Sequence, residues 1–331
     1  MIEAKIICDS IGEHSPRLTT FLLRYPKFIH AEHCRHRTMS LCVSSSRAVP
    51  VSKNLEEVRS DELRAGPVYW ASEQKGMSGG EELDNIIPDV AYQAPKFTGR
   101  EGMTKYQAAN LMWKQAANSA SHHANMLSRL GAHKSIVNRI LEPFLHVNVL
   151  CTVTQPGLMN FFGLRLDKAA QPEIRTLAEE MWKVWQESVP YTLYPNTDWH
   201  LPFIDDEAVN ELFNWHRHNG EYQLGEYKLR VSVARCARLS YTSFDTGKRS
   251  TIEEDLKLYD KLITSRPIHA SPAEHQATPD WFGPIVEDGD LWPDAWKNPH
   301  QHGNLSGWIQ YRKLLPDESC APLPLGYALK E

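Results

Sequence analysis

The chain has 331 residues, a formal net charge of −5, 41% hydrophobic and 23% charged residues, an ordinary composition for a globular protein with a large core. Without a long basic run, polymeric nucleic acid is excluded as the expected partner. No stretch approaches the ~20 apolar residues of a membrane span, and Met1-Ile2-Glu3-Ala4-Lys5 lacks a signal-peptide pattern.

Cys8, Cys34, Cys42, Cys151, Cys236 and Cys320 are scattered without a Cys-x-x-Cys pair, which points to reduced thiols and a cytoplasmic location. Residues 2–8 predict a short strand and 17–24 a second, rich in residues suited to a pleated surface. Pro26 ends that strand and opens a predicted helix over 27–36, because a first-turn proline loses no needed N–H. On it His30, His33 and His36 fall at threes. Positions i and i+6 lie about 120° apart around a helix, so polar contacts are expected rather than a metal site. The span from Pro26 to Pro50 is too polar for a core element. Arg35, Arg37 and Arg47 are fixed forks of N–H donors suited to carboxylate or phosphate, and Ser44, Ser45 and Ser46 add hydroxyls. This predicts an anion site for a small phosphorylated ligand.

Residues 51–104 read as loop-rich, with no Gly-x-Gly-x-x-Gly dinucleotide signature. A clear helix follows: Tyr106, Ala109, Trp113, Ala116, Ala117, Ala120, Ala124 and Leu127 recur at three and four, and Gly131 stands where a C-cap belongs. A second helix is expected over about 133–146, with Arg139 and Glu142 set among its apolar residues, where the residues alone predict a surface contact between the two. Arg165, beside Phe161, Phe162 and Leu164, is expected to be partly buried and to need an anionic or carbonyl partner. Helix 170–189 reads as core. Residues 190–225 form a connector with a short helix near 206–217. Ser250 and Glu253 suggest a capping box for the helix carrying Ile252, Leu256, Tyr259, Leu262 and Ile263. Gly307 to Lys313 reads as an amphipathic helix or as a substitute for a missing site segment.

Three blocks resemble the flavin-dependent thymidylate synthases. Arg35-His36-Arg37, seven residues, then Ser45 and Arg47 is similar to that family's signature. Asn160-Phe161-Phe162-Gly163-Leu164-Arg165 with Ala170-Gln171-Pro172-Glu173-Ile174-Arg175 is similar to its Asn-Phe-x-x-Leu-Arg … Ala-Gln-x-Glu-Ile-Arg run. Ala234 to Tyr241 and His269-Ala270-Ser271-Pro272-Ala273-Glu274-His275 resemble two segments that precede the triplet in the family but trail it here, which implies a circular permutation. The resemblance implies an α/β (α+β) fold, a central mixed or antiparallel sheet flanked by long helices. It implies one catalytic domain over 1–331: the triplet block at 1–50, an insertion at 51–104, a helical block at 105–190, the permuted segment at 226–279 and a Trp/Pro-rich tail at 280–331.

By the same resemblance the chain is expected to methylate dUMP with methylenetetrahydrofolate, using FAD reduced by NADPH, as a homotetramer. Arg35, Ser44, Ser45, Ser46, Arg47, Arg139 and Arg165 would contact nucleotide. Arg35, His36, Arg37, Asn160, His269, Ser271 and Glu274 would surround flavin and folate. Arg165, Ser45 and His36 would serve the chemistry, Ser45 by orienting rather than attacking. Cys34 or Cys42 could attack C6 only with a lowered pKa; inert thiols are the expectation. Glu32 stands where the family has glutamine, and Cys42-Val43 where it has Asn-Glu. These departures leave open a hydroxymethylase, a dCMP substrate, or a non-catalytic nucleotide- or flavin-binding protein.

Overall fold

The computed structural model describes residues 1–45, 48–72, 82–83, 104–219, 222–240, 250–265, 268–287, 290–316 and 318. Strand β1 (Glu3–Gly12) pairs antiparallel with β2 (Leu18–Pro26); each starts one residue later than its predicted strand and runs on beyond its end. The predicted helix over 27–36 is instead a 3-10 turn, Lys27–Ile29, and a single α turn, α1 (His30–His33). Arg35 N bonds Glu32 O at 3.3 Å and His36 N bonds His33 O at 3.1 Å, so three-residue turns end the helix early. Strand β3 (Ser40–Val43) follows.

The stretch read as loop-rich opens with a helix, α2 (Val51–Arg59), which buries Leu55 and Val58. Its apolar residues at 51, 55 and 58 carry a helical spacing that the later glycines and prolines of the stretch masked. Helix α3 (Lys105–Arg129) has a capping box between Thr104 and Gln107, and Gly131 beyond its end takes φ +84°. Buried Ala117 and Ala124 belong to the core shared with Leu55, Val58, Val137 and Leu141. The second helix predicted there stops as α4 (Lys134–Val137), then two 3-10 turns. Pro143 has no N–H to continue it, and the chain extends into β4 (His146–Thr154).

Helices α5 (Gln155–Arg165) and α6 (Pro172–Glu187) cover one sheet face. There Phe21, Leu23 and Tyr25 of β2 and Val149, Cys151 and Val153 of β4 meet Phe161, Phe162, Ile174, Leu177 and Met181. After β5 (Tyr191–Leu193) come α7 (Asp206–Asn219), α8 (Leu224–Ala237) and α9 (Ile252–Thr264). The sheet order is β3-β4-β2-β1-β5, antiparallel except for β1 with β5. The capping box of α9 is Thr251 with Glu254, one residue beyond the expected pair, because the Ser250 hydroxyl donates to Asp255. Asp255 is buried and also accepts from Arg235 and Arg238, so both arginines of the Ala234 to Tyr241 block are held by it.

Strands β6 (Ala277–Pro279), β7 (Phe282–Glu287), β8 (Asp290–Trp296) and β9 (Trp308–Gln310) form two further pairs, β6 with β9 and β7 with β8. Gly307 to Lys313 is therefore a strand running into a 3-10 turn, not an amphipathic helix. Trp308, Ile309 and Gln310 are all buried, which one exposed-faced helix would not allow.

The second sheet face joins this C-terminal third to β2, β3 and β4. Leu22, Leu150 and Cys42 align across three strands and pack with Cys236 and Leu239. Next to them Thr20, Thr152 and Ser40 form a buried polar row. The Thr20 and Thr152 hydroxyls are 2.6 Å apart. His200 bridges Thr20 at 2.7 Å and Ser10 at 2.9 Å, and His275 meets Thr152 at 2.9 Å. Burial pushes both histidines down to about 3.

A histidine neutral in the native state and ordinary when unfolded contributes full stability above about pH 6.5. That stability drains as pH falls toward the folded value, because only the unfolded chain takes the proton. Denaturant unfolding at pH 7 and pH 5 will show lower stability and net proton uptake at pH 5. Thr152→Val, which strands two partners, will cost on the order of 1–3 kcal/mol at pH 7.

Candidate functional site

The Arg-His-Arg triplet lies between α1 and the edge strand β3, with α5 beneath it. Phe161 sits one helical turn before Arg165 on α5, and the two grip His36 together. The His36 ring meets Phe161 edge-on at 4.8 Å, and Arg165 Nε donates to His36 Nε2 at 3.0 Å. That bond places the imidazole proton on Nδ1. Burial, then the Arg165 charge, pushes His36 down to about 4, so it is a neutral acceptor at pH 7. The partner expected for Arg165 was anionic or a carbonyl; it is a ring nitrogen, and no carboxylate among the described residues pairs with the guanidinium.

Arg35 and Arg37 flank His36 and are exposed. Their guanidinium groups make no hydrogen bond or ion pair with another described residue. The other two triad histidines serve as scaffold. Tyr25 Oη lies 2.8 Å from both His30 Nδ1 and His33 Nδ1. A hydroxyl has one proton, so it donates to one ring and accepts from the other. His33 is wholly buried and pushed down to about 3 by desolvation.

The C-terminal third closes the other side. Gln310 Nε2 donates to Ser40 Oγ at 3.2 Å, to Glu274 O at 2.9 Å and to Asn304 Oδ1 at 3.2 Å. Asn304 Nδ2 donates to Thr38 O at 3.2 Å. Glu274 is paired with Arg312, which also meets Glu318. The Ser271–Glu274 turn is thereby tied to the segment right after the triplet. His269 and Ser271 are exposed on this side, and Asn160 is exposed on α5.

Ser44 and Ser45 lie past the far end of β3. Four residues of strand at ~3.3 Å each put Ser44 about 13 Å from Ser40. Ser44 N donates to Asn148 O at 2.9 Å, and Ser44 Oγ accepts from Asn148 N at 3.1 Å. Lys134 Nζ bonds Ala48 O at 3.1 Å and Asn138 Nδ2 bonds Val49 O at 3.1 Å, bracing the chain beyond the loop. Ser46, Arg47 and Tyr241 lie outside the described residues. Arg139 is the surface partner of Glu142 at 3.0 Å, with Lys27 on the same carboxylate, so the structure does not bring it to the triplet.

Neither candidate thiol is activated. Burial, then Glu274, pushes Cys42 up to about 11, and desolvation raises Cys34. Sequence reasoning missed Tyr25 and Asn304 as supports of the site, and no motif marked either. The Gly307 to Lys313 stretch, read as a helix or as a substitute for a missing site segment, supplies Gln310 and Arg312. A cleft of about 370 Å³ lined by Asp61, Arg64, Trp113 and Lys114 shares no residue with this constellation.

The family model for thymidylate synthase complementing protein matches residues 9–191. The chain belongs to that family. Membership makes it an enzyme of the nucleotide-methylase type. A search of curated proteins finds no match. Among solved structures, it is similar to the UMP/dUMP methylase PolB from Streptomyces cacaoi bound with 5-Br dUMP. That likeness has 17% identity, 56% of this chain, 90% of the other and a TM-score of 0.38. The same enzyme bound with 5-Br UMP gives 17% identity, 56% and 89% coverage and a TM-score of 0.40. No described helix is long and apolar enough to cross a membrane.

Replacing Arg165 by glutamine removes the neighbouring positive charge from His36. The imidazole resonance will titrate above its starting value of about 4, yet below 6.5 because burial remains. An unmoved NMR titration would mean the two side chains do not interact in solution.

Proposed function

We propose that the chain is a flavin-dependent thymidylate synthase, converting dUMP to dTMP with methylenetetrahydrofolate as one-carbon donor. The observation that carries this reading is the pair of exposed guanidinium groups, Arg35 and Arg37, unpaired among the described residues, around a neutral His36 locked to Arg165. Donors without partners suit the pyrophosphate and carbonyl oxygens of a dinucleotide cofactor. Arg35, Arg37, Asn160, His269 and Ser271 offer such groups, so the donor set fits FAD. FAD reduced by NADPH would supply the hydride for the one-carbon unit.

The protein's own part is positioning and charge. Arg165 keeps its charge while His36 stays neutral, so the guanidinium is ready to stabilise negative charge growing on the uracil ring. Its remaining N–H groups, on the two terminal nitrogens, point to that role. Ser44, braced by Asn148, and Ser45 next to it would orient the phosphate at the far end of β3. The permuted arrangement is supported by two facts. The family match ends at residue 191, before the segment at 226–279. Gln310 links Glu274 of that segment to Ser40 beside the triplet. Cytoplasmic location and a homotetramer with flavin at subunit junctions belong to the same reading.

One observation favours a second reading. Glu32 stands where the family commonly has glutamine, and its Oε2 is buried without a hydrogen-bond partner among the described residues. A carboxylate accepts where an amide could also donate, which suits the amino group of a cytosine ring; the alternative is a methylase or hydroxymethylase of a pyrimidine deoxynucleotide on the same scaffold, with dCMP the substrate that Glu32 favours over dUMP.

Mass spectrometry of the nucleotide after incubation with FAD, NADPH, methylenetetrahydrofolate and either dUMP or dCMP tests both readings. A methyl gain on dUMP is the expected outcome. A hydroxymethyl product, or reaction with dCMP alone, would transfer the assignment to the second reading. An unchanged nucleotide beside bound flavin would leave only a binding protein. Arg35→Ala and Arg37→Ala are expected to weaken flavin or nucleotide binding by about 10-fold or more each, with melting temperature nearly unchanged.

A further inference from the structure

The Ser271–Glu274 turn and the segment after β9 meet because of strand register. Ala277 of β6 pairs with Gln310 of β9, and the pairing runs one residue further, where Tyr311 N donates to Gln276 O at 2.9 Å. The two residues flanking Tyr311 reach back to Glu274. Gln310 Nε2 donates to its carbonyl oxygen at 2.9 Å, and Arg312 Nη1 donates to its carboxylate Oε1. Main chain and side chain of Glu274 are each held, both from one short stretch.

Arg312 is itself fixed from the opposite side. Its Nε donates to Glu318 Oε2 at 2.8 Å and its Nη2 to Glu318 O at 3.3 Å. The planar fork so held has one way to face, and it presents Nη1 to Glu274. Lys313 Nζ donates to the other oxygen of Glu318 at 2.7 Å. Along the row Glu274, Arg312, Glu318, Lys313 the charges alternate and cancel in pairs. Glu274 Oε2 has no hydrogen-bond partner among the described residues, and the side chain keeps 20% of its surface exposed, enough for a ligand to reach it. A carboxylate already matched by a guanidinium gains little from a further cation, but its second oxygen can still accept a hydrogen bond. It suits a neutral N–H on the edge of a heterocycle, which an isoalloxazine and a pterin both carry.

Resting on the function proposed above, we infer that Arg312 is a positioning residue: braced by Glu318, it holds the Glu274 carboxylate in place so that Oε2 accepts from a ring N–H of the flavin or the folate.

Equilibrium binding tests this, with FAD followed by its fluorescence and methylenetetrahydrofolate by calorimetry. Whichever of the two Glu274→Ala weakens, Arg312→Met will weaken by a similar factor, about 10-fold. The double variant will bind no more weakly than either single one, because the arginine acts through the glutamate. Arg312→Lys keeps a charged donor and will recover part of the loss. In turnover the KM for that ligand will rise while kcat stays within about three-fold. Glu318→Gln, which leaves both Glu274 and Arg312 in place, will weaken the same ligand yet add nothing to Arg312→Met; circular dichroism establishes that each variant is folded. Wild-type affinity for both ligands in Glu274→Ala or in Arg312→Met, or losses that multiply in the double variant, would overturn the inference. A wild-type protein that binds flavin and folate yet leaves dUMP unmethylated would overturn the proposed function instead, and the same binding constants would still decide the role of Arg312.

Discussion

Three hydroxyls in the middle of an apolar sheet set the terms for the rest of the molecule. Thr20, Thr152 and Ser40 are buried on neighbouring strands, where an unbonded hydroxyl costs more than it contributes. Each finds a partner outside the sheet: His200 for Thr20, His275 for Thr152, and Asn304 and Gln310 for Ser40. Apolar packing alone would let the C-terminal third slide over the sheet. Directional bonds to one row of side chains fix its position, and with it the position of Glu274 beside the triplet.

The edge strand turns that constraint into a site. Alternation along β3 sends Leu41 and Val43 to the face covered by α5 and α6, and Ser40 and Cys42 to the other. The triplet just before it therefore stands where both layers reach the edge. From one layer comes Arg165, donating to His36; from the other comes Glu274, held by Gln310 and Arg312. Neutral imidazoles at His33 and His36 keep the interior beneath the arginines free of added positive charge. The uncompensated guanidinium groups of Arg35 and Arg37 are tolerated because water reaches them.

The elements legible in the sequence were those with a complete local signal. Helix α3 announced itself by period and terminal glycine, and α6 by its apolar spacing. The triplet and the Asn160 to Arg165 run were recognisable as motifs. What escaped was tertiary in origin. The segment at 308–310 is buried on all sides, so it has no amphipathic period and reads as easily as helix as strand. The capping box of α9 moved by one residue because Asp255, a buried partner of two arginines, claims the Ser250 hydroxyl. The placement of Arg139 on Glu142 rather than at the triplet follows from the break at Pro143, which a helical reading of 133–146 overlooked.

The reach of the bonds across the second sheet face also governs when the protein can exist. Ser15 bonds Gly307 over 292 residues, Ser40 bonds Asn304 over 264, and Thr20 meets His200 over 180. Contacts of such long range form late, because the entropy of closing each loop is spent before its contacts form. On a ribosome adding ~5–20 residues per second, roughly 15–60 s separate the synthesis of Ser15 from that of Gly307. The oldest strands of the sheet spend that interval with part of one face still waiting for its cover, and the Ser40 hydroxyl is served by water until Asn304 and Gln310 are made.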